Sequence, residues 1–405
     1  MNIKINPSKA VGTVCAPPSK SMAHRLLICG GLSKETSIIH GVSYSQDVLA
    51  TLDALEAIGA KYSIDGDTVT IKGTDPVSIK PAGPLNCRES GSTIRFFVPI
   101  ALLNGNNTIL TGSKTLLTRP MSVYSDICKE KELLFSQDEQ SVIVRGPLTP
   151  GTYKIPGNIS SQFISGLLFA LPLLNGDSTI MITPPLESRS YIDLTLSALA
   201  QFGVEVEKKD EKTLFIKGNQ EYKAQETTVE GDYSNAAFLE AFNTIGGQVA
   251  VNGLNENSLQ GDKVYEAYFK RLCSGTPTLH VADCPDLGPV LFAVAAAKHG
   301  GVFTGTKRLQ IKESNRAVVM AEELKKFGVS VTVHEDSVVI YTNGLKKPEV
   351  KLYGHNDHRI VMSMAVLLTL TGGEIEGAEA VSKSFPDFFE KITELGIEVI
   401  KDEIA

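Results

Sequence analysis

The chain has 405 residues, with 39 Lys and Arg against 46 Asp and Glu, a net charge of −7, and 42% hydrophobic residues. This composition is typical of a globular protein of two or three domains and excludes disordered and collagen-like chains. The acidic balance and the lack of a basic run argue against a nucleic-acid surface. The longest apolar stretch, residues 163–174, is shorter than the roughly 20 residues that cross a bilayer. We therefore expect a cytoplasmic protein with no nucleic-acid or membrane partner.

Cysteine and histidine spacing gives no sign of a metal site. The six cysteines are scattered without a C-x-x-C pair, which predicts reduced thiols rather than a disulfide framework or a zinc site. His355 and His358 form a close pair in the segment HNDH, but no other His or Cys lies nearby in the sequence. We expect no metal and no cofactor, with His358 making hydrogen bonds instead.

In chain order, the predicted elements form six similar segments. Each has a Ser- or Asp-containing start, an apolar helical run, a Gly or Asn turn, and an alternating strand. The segments start at Ser19, Ser90, Ser160, Asp232, Asp286 and Asp357. Most starts are about 70 residues apart, a regular spacing that indicates an internal repeat. Only the fifth start follows its predecessor more closely.

The helical patterns within each repeat predict two kinds of helix. The first helix is apolar nearly all round, as in residues 163–171, which is typical of a helix enclosed on every side. The second has apolar residues at three- and four-residue spacing, as at Leu49, Leu52 and Leu55, so one of its faces is buried. Open solenoids use shorter repeats, so we predict an α/β protein in which six compact units form two globular halves of three.

The starts of the six inner helices are candidates for anion binding. Ser, Asp and Asn are ordinary N-capping residues, and for a single helix capping explains them. Basic residues, however, recur near these starts: Lys20, Arg25, Arg95, Arg119, Lys312, Arg316, Arg359 and Lys383. Helix N-termini together with guanidinium groups favour binding of more than one phosphate or carboxylate. No P-loop or dinucleotide-binding motif accompanies them.

Eight short segments resemble the signature segments of a known enzyme family. They are PSKSMAHR (18–25), SGSTIRF (90–96), TRP (118–120), SSQF (160–163), GDYS (231–234), IKESNR (311–316), NDHR (356–359) and KSFPDFF (383–389). In identity and order they resemble those of the 5-enolpyruvylshikimate-3-phosphate synthase family. The resemblance covers the whole chain.

The resemblance implies the two-domain enolpyruvyl transferase fold, an inside-out α/β barrel of six βαβαββ units, three per domain, with the active site in the interdomain cleft. We expect residues 19–229 to form one domain and residues 1–18 with 230–405 to form the other. The third unit ends near the strand LFIKG, and the fourth helix begins after Gly231. The leading strand NIKI has no unit of its own and must pair elsewhere.

The resemblance also implies a reaction. The enolpyruvyl group of phosphoenolpyruvate would pass to the 5-hydroxyl of shikimate 3-phosphate with release of phosphate, by addition and elimination through a tetrahedral intermediate. This is the sixth step of the shikimate pathway to chorismate and the aromatic amino acids. Its partners would be these two small-molecule substrates, without a cofactor, and we expect the enzyme to be a monomer.

Site residues carry over from the matching segments by resemblance. Those implied for shikimate 3-phosphate are Lys20, Ser21, Arg25, Ser160, Ser161, Gln162, Ser188, Tyr191, Asp286 and Lys312. Those implied for phosphoenolpyruvate are Lys20, Gly91, Arg119, Gln162, Arg316, Arg359 and Lys383. Lys20, Asp286 and Glu313 are the candidates for proton transfer. The sequence leaves open which of the three acts in which step.

Three residues depart from the family pattern. Glu89 adds a carboxylate where the family commonly has Asn, Phe96 replaces a common Pro, and Asn315 replaces a frequent Asp. The first two bear on phosphoenolpyruvate affinity and glyphosate sensitivity, which the sequence leaves open. Asn315 would loosen a neighbouring Arg or Lys, unless it simply exchanges one hydrogen bond for another.

Two alternative functions remain to be weighed. The related transfer to UDP-N-acetylglucosamine uses the same fold, but such enzymes usually carry an Asn after the active-site Lys and a Cys in a mobile loop. Here Ser21 follows Lys20, and the matching segment GSKTLLTRP has no Cys. A non-catalytic anion-binding protein would be expected to have lost some of the reacting residues, and none is lost.

Overall fold

The computed structural model describes residues 1–78 and 80–402, so the last three residues of the second expected domain, 403–405, lie outside it. Its strands are β1 (Asn2–Ile5), β2 (Val11–Cys15), β3 (Thr36–His40), β4 (Lys61–Asp65), β5 (Thr68–Lys72), β6 (Leu85–Asn86), β7 (Thr108–Thr111), β8 (Leu134–Gln137), β9 (Val142–Arg145), β10 (Gly151–Pro156), β11 (Ser178–Thr183), β12 (Val206–Lys208), β13 (Thr213–Ile216), β14 (Glu226–Thr228), β15 (Gln248–Asn252), β16 (Thr278–His280), β17 (Gly301–Thr304), β18 (Ser330–Val333), β19 (Ser337–Tyr341), β20 (Leu352–Tyr353), β21 (Gly373–Glu376) and β22 (Val399–Asp402).

The helices lie between groups of these strands along the chain. They are α1 (Lys20–Leu32), α2 (Gln46–Ala57), α3 (Gly91–Ala101), α4 (Lys114–Leu117), α5 (Ser122–Glu130), α6 (Ser161–Ala170), α7 (Arg189–Gln201), α8 (Tyr233–Thr244), α9 (Tyr265–Ser274), α10 (Gly288–Ala297), α11 (Arg316–Lys326), α12 (His358–Thr371) and α13 (Phe388–Glu394). Short 3-10 turns lie between several of them, including Pro285–Leu287 just before α10.

Contacts within the chain divide it into two compact units. Residues 18–230 form one, which we call the N-unit, and residues 1–17 with the chain from Gly231 onward form the other, the C-unit. Each unit has its own cluster of buried apolar side chains. Whether each folds as an independent domain stays a prediction.

The sheets of the N-unit share one arrangement. Their strand orders are β14-β3-β5-β4, β6-β7-β9-β8 and β10-β11-β13-β12. In each, the first two strands are parallel. The third strand is antiparallel to both the second and the fourth. The first sheet is completed by β14, which comes from the far end of this unit's segment of the chain.

The C-unit repeats this arrangement with two differences. The sheet β16-β17-β19-β18 is regular, and in β20-β21-β1-β22 the N-terminal strand β1 lies between β21 and β22. Ile3 of β1 faces Ile375 on one side and Lys401 on the other, which confirms that the leading strand pairs elsewhere. The remaining sheet consists of β2 and β15 alone, because the closely spaced fourth segment has no room for the strand pair that its neighbours carry.

The inner helices are enclosed, as their apolar sequences predict. Every residue of α10 from Gly288 to Ala296 is buried, and α10 packs against α8 and α12. In the N-unit, α6 packs closely on α3 because Gly166 has no side chain. A Cβ at this position would lie 2.4 Å from the Arg95 carbonyl oxygen and 2.3 Å from the Tyr124 hydroxyl. The described residues therefore form the mixed α/β architecture that the repeat predicted.

Candidate active site

The inner helices begin as predicted in five of six cases. Ser19, Ser90, Ser160, Asp232 and Asp357 each cap a helix, and each side chain accepts a hydrogen bond from a backbone N–H of the first turn. The fifth helix, α10, differs, since Leu287 precedes it and makes no side-chain capping bond. Pro289 in its first turn has no N–H to cap. Asp286 lies in the preceding 3-10 turn, and its carboxylate binds cations instead.

Lys20 is the first residue of α1 and forms an ion pair inside the N-unit. Its Nζ lies 2.7 Å from Oδ2 of Asp47, which is in the first turn of α2. The two side chains are 14% and 9% exposed, so water screens the pair only weakly. Sequence reasoning missed Asp47, although it lies at the start of the second helix of the same repeat.

Arg25 lies nearly buried just over one helical turn further along α1. Its Nε donates to the Thr195 hydroxyl at 2.8 Å, and its two terminal nitrogens donate to the carbonyls of Ser21 at 2.6 Å and Tyr191 at 2.9 Å. These bonds use three of its five N–H groups. Burial lowers the pKa of Arg25 to about 10, so it stays charged at neutral pH. The structure thus brings together Ser21, Arg25 and Tyr191.

The start of α6 is joined to α3 through Gln162. Its side chain donates to the Ser92 hydroxyl at 2.9 Å and accepts from Arg95 Nη1 at 2.7 Å. Ser160 and Ser161, beside it, are nearly buried. Arg95 belongs to neither of the expected substrate sets. Its position near a helix start is the sequence signal that could have included it. Ser188 is fully buried, has a left-handed backbone (φ 54°) and immediately precedes α7.

Gly91 and Arg119 meet at the start of α3. A Cβ at Gly91 would lie 2.5 Å from Arg119 Nη1, so the glycine lets the guanidinium approach the helix N-terminus. Gln137 supports the Arg119 backbone, because its side-chain amide donates to the carbonyls of Leu117 and Arg119 at 2.6 and 3.0 Å. A cation against a helix N-terminus suits an anionic ligand that both can contact.

In the C-unit, three expected cations converge on Asp286. Its Oδ1 accepts from Arg316 Nη1 at 2.8 Å and lies 3.2 Å from Lys312 Nζ. Its Oδ2 accepts from Arg359 Nη2 at 3.3 Å. The structure therefore places three of the predicted cations around one predicted carboxylate.

Arg316 is the most buried member of this cluster and holds two further carboxylates. Its Nε donates to Asp357 Oδ2 at 2.9 Å, and its Nη2 donates to Glu313 Oε2 at 2.6 Å. Burial opposes the charge on Arg316, but Asp357, Glu313 and Asp286 outweigh that effect and raise its pKa above the ordinary value. Asp357, predicted only as a helix start, thus has a second role as an anchor for Arg316.

Two other ionisable groups beside Asp286 have shifted pKa values. Burial lowers the pKa of Lys312, and the negative charge of Asp286 only partly offsets this effect. Asp262 is buried, and the Ser234 hydroxyl donates to its carboxylate. Burial and the charge of Asp286 raise the pKa of Asp262 to about 6. Asp262 belongs to neither expected substrate set.

Lys383 completes the expected cations, and its Nζ donates to the Asn356 carbonyl at 2.6 Å, just before α12. Asn315 caps α11, since its side chain accepts from the Val318 N–H. The neighbouring Arg316 guanidinium is bonded to three carboxylates, those of Asp357, Asp286 and Glu313. Phe96 packs in the N-unit core, with its ring centroid 5.4 Å from that of Phe169.

Across residues 1–78 and 80–402, no group of three or more His, Cys, Asp and Glu side chains is arranged to hold a metal ion. No helix in the described part of the chain is long and apolar enough to cross a bilayer.

Comparisons with known proteins agree over the whole length of the chain. The family model of EPSP synthase (3-phosphoshikimate 1-carboxyvinyltransferase) matches residues 5–392. A 3-phosphoshikimate 1-carboxyvinyltransferase of Clostridium acetobutylicum is 41% identical over 421 residues, which cover 98% of each chain. One of Clostridium perfringens is 40% identical over 416 residues, covering 97% of each.

Solved structures show the same likeness. An EPSP synthase structure from Acinetobacter baumannii has a TM-score of 0.78 and 25% identity, covering 99% of this chain and 100% of that chain. This match confirms the expected enolpyruvyl transferase fold. Together with the family model and the curated relatives, it establishes that the chain belongs to the EPSP synthase (3-phosphoshikimate 1-carboxyvinyltransferase) family.

Proposed function

We propose that the chain transfers the enolpyruvyl group of phosphoenolpyruvate to the 5-hydroxyl of shikimate 3-phosphate and releases inorganic phosphate. The observation that carries the proposal is the C-unit cluster, in which Lys312, Arg316 and Arg359 bind Asp286 while Arg316 also binds Glu313. Fixed cations beside two carboxylates combine anion binding with groups able to exchange protons. Family membership supports this function over transfer to UDP-N-acetylglucosamine.

Shikimate 3-phosphate is assigned to a set of hydroxyl, cationic and carboxylate groups. They are Lys20, Ser21, Arg25, Ser160, Ser161, Gln162, Ser188, Tyr191, Asp286 and Lys312. In the N-unit, the remaining N–H groups of Arg25 and the Ser160 and Ser161 hydroxyls at the start of α6 suit a phosphate, because charge-assisted bonds and a helix N-terminus both favour it.

Phosphoenolpyruvate is assigned to the groups that carry most of the positive charge. They are Lys20, Gly91, Arg119, Gln162, Arg316, Arg359 and Lys383. Arginine binds carboxylate and phosphate oxygens in a bidentate manner, and the small Gly91 leaves Arg119 next to backbone N–H groups. These assignments follow the family resemblance, and the contacts within each unit are compatible with them.

The reaction needs two proton transfers in the addition step and two in the elimination step. In the addition, the 5-hydroxyl oxygen bonds to C2 of phosphoenolpyruvate, loses its proton to a base, and the C3 methylene gains a proton. In the elimination, C3 loses a proton to a base, the C2–C3 double bond forms again, and the C2–O bond to phosphate breaks as the departing phosphate takes up a proton. Lys20, Asp286 and Glu313 are the proposed proton-transfer groups. The arginines stabilise the charge of the tetrahedral intermediate.

A phosphate-release assay tests the function. The purified chain is incubated with phosphoenolpyruvate and shikimate 3-phosphate, and the organic product is identified by mass spectrometry. We expect stoichiometric formation of phosphate and the enolpyruvyl product. Phosphoenolpyruvate alone, and phosphoenolpyruvate with UDP-N-acetylglucosamine, are the controls. Phosphate release with UDP-N-acetylglucosamine but not with shikimate 3-phosphate would establish the alternative function.

We also propose that the enzyme acts as a monomer in the cytoplasm. All six cysteines are unpaired thiols, as suits a reducing compartment. Light scattering coupled to size-exclusion chromatography tests the oligomeric state against the chain mass of 43.6 kDa.

A further inference from the structure

A buried glutamate outside the expected site lies on α11, the helix that Arg316 begins. Glu323 is 2% exposed and accepts hydrogen bonds from three donors in the C-unit. Lys326 Nζ lies 2.9 Å from both carboxylate oxygens, His355 Nε2 donates to Oε1 at 2.9 Å, and the Tyr353 N–H donates to Oε2 at 3.0 Å. Burial alone would raise the pKa of Glu323, but these hydrogen bonds outweigh it and lower the pKa.

Two of these donors lie in or just before the turn that leads into α12: His355 belongs to the turn, and Tyr353 ends β20. His355 and Asn356 both have left-handed backbones, with φ values of 50° and 53°. Side-chain-bearing residues rarely adopt this conformation, and two in succession need support from their surroundings. Glu323 provides such support, because it binds the His355 ring and the backbone N–H of Tyr353 on the approach to the turn.

The left-handed turn sets the direction of groups assigned to phosphoenolpyruvate. The Asn356 carbonyl accepts from Lys383 Nζ at 2.6 Å. The next residue, Asp357, caps α12 through the Arg359 N–H and binds Arg316. A change in the turn would therefore move Lys383, Arg359 and the anchor of Arg316 together.

We propose that Glu323 is a positioning residue for the cationic side chains assigned to phosphoenolpyruvate. It acts through His355 to hold residues 355 and 356 in the left-handed conformation. The inference deepens the proposed function and rests on it for the identity of the ligand. Glu323 itself does not touch the reacting atoms in this proposal.

The first test is Glu323→Gln, with the exposed neighbour Glu322→Gln as the matched control. Both oxygens of Glu323 accept hydrogen bonds, so the amide NH₂ of Gln would face a donor and release part of the turn. We expect kcat/KM for phosphoenolpyruvate to fall by about tenfold or more, because small displacements of positioned groups are costly to catalysis. The KM for shikimate 3-phosphate should change less than the KM for phosphoenolpyruvate, because most of the groups assigned to shikimate 3-phosphate lie in the N-unit, away from the turn that Glu323 contacts.

The second test separates backbone positioning from side-chain packing. His355→Ala removes the anchor but keeps a Cβ in the left-handed conformation, whereas His355→Gly removes the anchor and adopts that conformation without strain. We expect His355→Gly to retain more phosphoenolpyruvate kcat/KM than His355→Ala. The proposal would be overturned if His355→Ala retained more phosphoenolpyruvate kcat/KM than His355→Gly. It would also be overturned if Glu323→Gln raised the KM for both substrates by the same factor.

A third measurement does not depend on turnover. Amide hydrogen exchange at residues 355–361 should be faster in Glu323→Gln than in Glu322→Gln, because the turn opens more often. Unchanged exchange there would contradict the positioning role. If the unmodified chain failed to form the enolpyruvyl product, the proposed function would fall, and the exchange comparison would still decide whether Glu323 holds the turn.

Discussion

At the scale of single residues, Glu313 shows how charge and chemistry are combined. Its Oε2 accepts from Arg316 Nη2 at 2.6 Å, and Arg316 in turn is fixed by Asp286 and Asp357. The carboxylate is therefore held in one orientation by a cation that is itself immobile. Such an arrangement suits the proton-transfer role proposed for Glu313.

The Glu313→Gln variant tests this role. Gln can keep the hydrogen bond to Arg316 but cannot exchange protons as a carboxylate does. We expect kcat to fall by about two orders of magnitude or more, the usual contribution of a general acid or base. Binding of shikimate 3-phosphate, measured by calorimetry, should remain. Near-normal turnover would transfer the role to Asp286 or Lys20.

Asp262 leads to a prediction about pH. In the folded chain its pKa is about 6, whereas the ordinary value is 3.8. Between these pH values the folded state holds a proton that the unfolded state has released, so this group lowers stability as pH rises. In Asp262→Asn this contribution is absent, while Asn can still accept the bond from Ser234.

We therefore expect the melting temperature of Asp262→Asn, relative to the unmodified chain, to increase as pH rises from about 4.5 to about 7. Differential scanning fluorimetry across this range measures the difference. A difference independent of pH would show that Asp262 titrates in the folded state as it does in the unfolded one.

The sequence predicted which residues form the C-unit cluster better than it predicted which of them contact each other. Lys312, Arg316 and Arg359 contact Asp286, and Glu313 joins them through Arg316, whereas the individual roles that the resemblance implies stay predictions. Asp47 and Asp262 were missed, because a pairing partner from another part of the chain leaves no periodic signal. Asp286 itself was expected to begin the fifth inner helix, but it lies in the 3-10 turn Pro285–Leu287 that precedes α10.

At the scale of elements, the packing of α6 on α3 depends on one glycine. In Gly166→Ala, the added Cβ would meet the Tyr124 hydroxyl and the Arg95 carbonyl oxygen at 2.3 and 2.4 Å. Because the carbonyl belongs to the backbone of α3, the helices must separate. We expect a loss of about 1–3 kcal/mol in the free energy of unfolding, as for overpacked cores.

Urea denaturation measures this loss, and Gly83→Ala is the matched control. A Cβ at Gly83 would have nothing within 4 Å, so the control should be close to the unmodified chain. Equal stability of the two variants would mean that α3 and α6 adjust without cost. The separation of α3 and α6 should also weaken the bond between Arg95 and Gln162.

The sequence-based prediction was incomplete mainly where paired strands come from distant parts of the chain. The inner helices and five of their caps could be predicted because periodicity and capping are local. The position of β14 in the first sheet could not, since residues 226–228 pair with β3 nearly 190 residues earlier, as in Glu226 opposite Ile38. Pairing over such distances depends on the assembled unit rather than on local sequence.

At the scale of the whole molecule, the expected domain division can be tested with a fragment. Residues 18–230 contain a complete apolar cluster and three four-stranded sheets, including β14. We expect this fragment to fold cooperatively and to give a dispersed NMR spectrum. A fragment that ends at residue 217 lacks β14, so β3 keeps β5 on one side but has an open edge on the other, and the fragment should melt at a lower temperature. An unfolded 18–230 fragment would contradict the domain prediction.

The position of β1 has a consequence for the order in which a new chain folds on the ribosome. Residues 2–5 emerge about 370 residues or more before either of their partners, residues 373–376 and 399–402. The intervening residues 18–230 can complete their own sheets while β1 waits without a neighbour. β1 therefore gains both of its partner strands only after residues 399–402 have been translated, and a rearranged chain in which residues 2–5 follow soon after residue 402 would make these strands local partners.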